Sequence, residues 1–112
     1  MAKKPTVQTK NIVIRVGLDE DNMPVEMQWQ AEGSPARATK AMLLSLFDAE
    51  NKETMKIDLW TLDMQVVEMD HLVFNTLRGL ADTYFKATQN QALAVDFQRF
   101  VQYFGEKTEI IK

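Results

Sequence analysis

The 112-residue sequence has no cysteine, one histidine, three prolines and four isolated glycines. Without cysteine there is no disulfide scaffold, thiolate metal site, thiol nucleophile or redox couple. A single histidine excludes a multi-histidine metal cage, and scattered glycines form no phosphate-cradling loop. Long hydrophobic runs are absent too. The longest aliphatic stretch is Ala41 to Leu44, far short of the ~20 residues of a membrane helix. Positive charge is in deficit, with 13 Lys and Arg against 16 Asp and Glu, the opposite of the basic excess of a general polyanion binder. These absences point to a cytoplasmic protein with no nucleic-acid ligand, no stable membrane insertion, no cofactor and no metal.

What is present is patterned. Lys3, Lys4 and Lys10 form a short basic start with no apolar stretch behind it, unlike a signal peptide. Residues 1–8 are read as a flexible arm. Ile12, Ile14, Val16 and Leu18 then fall on one face of an extended segment, with Asn11, Arg15 and Gly17 on the other. After the turn formers Asp19 to Pro24, Val25, Met27, Trp29 and Ala31 alternate with Glu26, Gln28, Gln30 and Glu32. Two alternating runs joined by a turn predict a hairpin. Residues 36–49 are open to either a helix or a strand apolar on both faces, because periodicity does not separate the two in short runs. The polar turn Asp48 to Thr54 and the alternation of Met55, Ile57, Leu59 and Thr61 favour a second hairpin.

From about Val66 the period becomes helical. Met69, Leu72, Val73, Thr76, Leu77, Leu80, Ala81 and Tyr84 form one stripe, with Asp70, His71, Asn75, Arg78, Asp82 and Lys86 opposite. Arg78 and Asp82 are spaced to pair across one turn. Asn90 is an N-cap candidate for a second helix whose stripe is Leu93, Phe97, Phe100, Val101 and Phe104. Gly105 suits a left-handed C-terminal cap, and residues 106–112 a tail. Strands before helices predict an α+β fold: a four-stranded antiparallel sheet of two hairpins, with two C-terminal helices packed on one face. The expected core joins the sheet to Leu72, Leu77, Leu80, Phe97, Phe100 and Phe104, in a single domain over residues 1–112.

No catalytic constellation emerges. An EF-hand loop counted from Asp19 has Pro24 at its sixth position and Gln30 at its twelfth, where glycine and a bidentate glutamate are required. His71 falls on a polar helix face without a nucleophile at a telling spacing. The chain is therefore read as non-enzymatic. Its most informative side chain is Trp60, which alternation sets on the face opposite Met55, Ile57 and Leu59. The run 41–47 is apolar on both faces, so one of its sets, Leu43 with Phe47 or Met42 with Leu44 and Leu46, shares a face with Trp60. A protein-interaction patch is expected from Trp60, Met42, Leu44, Leu46, Phe47 and Val13, serving either a partner or self-association.

The stretch Lys40 to Asp48, the turn Glu50 to Thr54 and the run Lys56-Ile57-Asp58-Leu59-Trp60-Thr61 together resemble the gliding motility-associated GldC proteins. Similar to the same family are Val25 to Ala31, the helix from Glu68 to Thr88 and the ending Tyr103-Phe104-Gly105-Glu106-Lys107. The resemblance implies a small cytoplasmic accessory protein of the bacterial gliding machinery, acting through protein contacts and carrying no family catalytic residues. The alternative is an export-chaperone-like protein that binds extended hydrophobic segments of cargo.

Overall fold

In a computed structural model covering residues 3–112 the elements run β1 (Ile12–Leu18), β2 (Pro24–Ala31), β3 (Arg37–Ala38), β4 (Ala41–Phe47), β5 (Thr54–Trp60), α1 (Val66–Thr88) and α2 (Gln91–Lys107). The first two positions of the expected basic arm lie outside the described residues, and residues 3–10 are exposed without regular structure. The chain, read from its sequence as one domain, forms two compact units, Met1–Met64 and Gln65–Lys112.

In the first unit, both predicted hairpins form, but not as one four-stranded sheet. The strands make a three-stranded sheet β1-β2-β3 and a two-stranded ribbon β4-β5. The physical reason lies at Thr39 and Lys40. Thr39 donates its N–H to the Met27 carbonyl at 2.9 Å, whereas the Lys40 carbonyl accepts from the Thr61 N–H at 2.8 Å. Successive residues of a strand direct their hydrogen bonds to opposite edges. The segment from Arg37 to Phe47 thus pairs with β2 first and with β5 afterwards, and changes sheet at this corner. Residue pattern alone shows no such break, because residues 36–49 follow no decisive period.

Each hairpin turn is held by an aspartate. Asp19 accepts backbone N–H groups from Asp21 and Met23 at 2.8 and 3.0 Å, with Asn22 left-handed at φ 61°. Asp48 accepts from Glu50 and Asn51 at 3.0 and 2.9 Å, with Lys52 at φ 62°. These are Asx-type turns, in which a short carboxylate replaces missing backbone partners.

In the helical unit, α1 opens with the Gln65 N–H donating to Glu68 Oε1 at 2.9 Å, half of a capping box. Its C-terminus is closed by Gln89 at φ 60°. Asn90 caps α2 as expected, accepting the Leu93 N–H at 3.1 Å. Gly105 does not end α2. The helix continues to Lys107, Thr108 caps it, and the Ile111 N–H returns to the Gly105 carbonyl at 3.0 Å. Residues 106 and 107 of the expected tail are therefore helical. Gly105 is needed for closeness instead: a Cβ there would stand 2.5 Å from Ile111 Cδ1 and 2.7 Å from Phe74 Cε1.

The buried apolar side chains are Met27, Phe74, Ala81, Ala94 and Val101. Leu80 and Phe100, expected in the core, are about half exposed. The buried set on α2, Ala94, Val101 and Gly105, repeats at helical spacing and shares only Val101 with the expected stripe. Small residues there let two helices approach closely, so shape rather than apolar bulk selects the seam. Phe74 belongs to the flank of α1 that was read as polar. Arg78 does not pair with Asp82. Its guanidinium lies over the Phe74 ring, 5.6 Å from the centroid, and Asp82 pairs with Lys86 at 3.0 Å.

Candidate interaction surface

The register of the β4-β5 ribbon assigns every side chain to a face. Directly opposed residues share a face, and Ala41 opposes Trp60, Met42 opposes Leu59, Leu43 opposes Asp58, Leu44 opposes Ile57, Ser45 opposes Lys56, Leu46 opposes Met55 and Phe47 opposes Thr54. One face carries Trp60, Leu43 and Phe47 with Ser45, Lys56 and Asp58. The other is wholly apolar: Met42, Leu44, Leu46, Met55, Ile57 and Leu59.

This divides the expected patch. Met42, Leu44 and Leu46 lie on the face away from Trp60, a correction forced by the two-residue period of a strand. Phe47 shares the Trp60 face but sits at the far end of the ribbon, about 20 Å away at ~3.4 Å per residue. Between them Lys56 pairs with Asp58 at 3.2 Å and donates to Ser45 at 3.3 Å. Val13 lies elsewhere, opposite Gln30 on the polar face of β1-β2, where Arg15 donates to Gln30 at 3.3 Å. Of the six residues, Trp60 and Phe47 share a face, with Leu43 diagonal to Trp60.

The neighbours of Trp60 come from a turn and a strand end. Met23, Pro24, Asp58, Leu59 and Leu62 line a shallow concavity of about 180 Å³ with it. A bond from the Leu62 N–H to the Pro24 carbonyl at 3.1 Å ties the two segments. Trp60, Leu62 and Met23 are 52%, 58% and 45% exposed. Met23 and Leu62 were missed because each stands singly among polar turn residues. An apolar side chain where a turn has no core to reach is the signal that would have found them.

A second concavity, about 310 Å³, is lined by Ile12, Ile14, Met27, Trp29, Thr39, Ala41 and Met42. Ile12, Ile14, Val16, Met27, Trp29 and Ala31 share one face of β1-β2, so Met42 brings the apolar face of the ribbon alongside that of the first sheet. Ile12 remains 71% exposed there, Leu46 49% and Met55 58%.

Polar groups also cluster at the sheet corner. The Thr61 hydroxyl, on a buried residue, donates to Asp63 Oδ1 at 2.6 Å, and Lys40 approaches the same carboxylate at 4.0 Å. The Thr61 hydrogen bond first, and the Lys40 charge after it, hold the Asp63 carboxyl below its usual range. This arrangement braces the corner where the strand changes sheet. His71 is exposed. No helix among the described residues is long and apolar enough to cross a membrane.

Comparison with known proteins agrees with the residues quoted above. The family model described as gliding motility-associated protein GldC-like matches residues 24–110. No curated protein and no solved structure matches the chain.

Proposed function

The chain belongs to the gliding motility-associated GldC-like family, and we propose that it serves the bacterial gliding machinery as a non-enzymatic cytoplasmic accessory protein that docks a partner protein. The observation supporting this reading is the exposed Trp60, Leu62 and Met23 cluster on a braced strand end. A large aromatic ring beside aliphatic side chains, held by rigid backbone and rimmed by Asp58, is the composition of an interface anchor. Its chemistry calls for an apolar side chain from the partner to enter the concavity. Replacing Trp60 by Ala in a gliding bacterium that carries this protein tests the reading. Gliding is expected to fail while the protein accumulates at its normal level. Unchanged gliding in a Trp60→Ala, Leu62→Ser double variant would refute it.

A second reading, a holder of extended hydrophobic cargo, draws on the 310 Å³ apolar concavity beside the open edge of β1. An extended segment there would add a strand and place alternate side chains in the hollow. The two readings separate in a capture experiment: a docking protein retains one defined partner, and a holder retains many unfolded chains.

A further inference from the structure

We propose that the chain forms a two-fold dimer in which β5 pairs antiparallel with β5 of a second copy, centred on Ile57. The inference stands apart from the docking role of Trp60 and does not depend on it. The bonds Thr61 N–H to Lys40 and Asp48 N–H to Glu53 mark hydrogen-bonded pairs at the two ends of the ribbon. Such pairs alternate along an antiparallel ladder, so Thr54, Lys56, Asp58 and Trp60 point their N–H and C=O groups away from β4. Among the described residues no backbone group meets them from outside the ribbon. This open edge is self-complementary. With the axis on Ile57, Lys56 faces Asp58 of the second copy, and the reciprocal pair repeats the match. Met55 faces Leu59, and Thr54 faces Trp60.

The edges of β1 and β4 lack this property. Centring β1 on its own copy sets Arg15 against Arg15, a like-charge guard against edge pairing. β4 carries no charge and so nothing electrostatic to choose a register. Pairing through β5 would also join the apolar faces of two ribbons into one four-stranded surface, β4-β5-β5-β4. Across that pairing Met55 and Ile57, 58% and 40% exposed, meet Leu59 and Ile57 of the second copy.

Sedimentation of the full chain across the micromolar range, with Lys56→Asp and Asp58→Lys, tests the register. Wild type is expected to dimerise. Each reversal alone creates two like-charge pairs and should weaken dimerisation at least about tenfold. An equimolar mixture of the two variants restores every opposite-charge pair and should form the heterodimer, and the doubly swapped chain should dimerise like wild type. A wild type that stays monomeric overturns the proposal, as does a dimer indifferent to both reversals. Should a single reversal unfold the ribbon by circular dichroism, Ile57→Lys reads the same axis. A folded monomer is then expected, and an unchanged dimer overturns the proposal.

Discussion

In the helix pair α1-α2 the residues taken out of solvent are mostly small: Ala81, Ala94, Val101 and Gly105 around a single ring, Phe74. In the β4-β5 ribbon the side chains are large, and Leu46, Phe47, Met55, Ile57 and Trp60 stay substantially exposed. The helix pair uses shape to close on itself. The ribbon uses bulk and leaves it displayed. Apolar content alone does not distinguish these roles, because each burial stabilises only to the extent that a neighbour removes the side chain from water. Apolar side chains thus specify a fold in one place and a surface in the other.

The contrast can be broken most severely at Phe74. Phe74→Ala should destabilise the protein by about 3–5 kcal/mol in urea unfolding, because it empties the one large buried site on α1. Gly105→Ala comes next, at about 1–3 kcal/mol, since the new methyl would overlap Ile111 and Phe74. Its control is Gly79→Ala: nothing lies within 4 Å of that position, and removing a helical glycine should gain about 0.5–1 kcal/mol. On the ribbon, Leu46→Thr and Met55→Thr should each change stability by less than ~0.5 kcal/mol in dilute solution, and Met55→Thr, at the residue that faces Leu59 of the second copy, should reduce self-association seen by light scattering. A large loss of stability from either would show that the ribbon face is already covered within one chain.

The smallest expected effect concerns the corner. Folding holds the Asp63 carboxyl below its ordinary value of 3.8. Its contribution is therefore present above that value and lost as pH falls through the lower folded value. Thr61→Val removes the main cause and should move the Asp63 titration, followed by carboxyl carbon NMR, back up toward 3.8.

Much of this was legible in the residues. Ile12 to Leu18 and Val25 to Ala31 alternate cleanly, and both are strands. Asn90 announces the second helix. The polar turn after Phe47 decides the ambiguous run in favour of β4. What was not legible depends on pairs distant in the chain. The change of sheet at Thr39 and Lys40 is a matter of which edge meets β2 and which meets β5, and the irregular residue pattern there carries no sign of it. The ribbon register separates Met42, Leu44 and Leu46 from Trp60, and only the pairing across the turn reveals that. Gly105 reads as a helix stop in one dimension and as a point of close approach in three, because Ile111 returns to it.

The central claim is that the exposed cluster around Trp60 is where this protein meets the gliding apparatus. Site-specific photo-crosslinking from position 60 in living gliding cells tests it most directly, with position 30 on the polar face of β1-β2 as the comparison. A discrete adduct heavier than a dimer of the chain is expected from position 60 and none from position 30. No such adduct from position 60, or the same products from both positions, would contradict the claim.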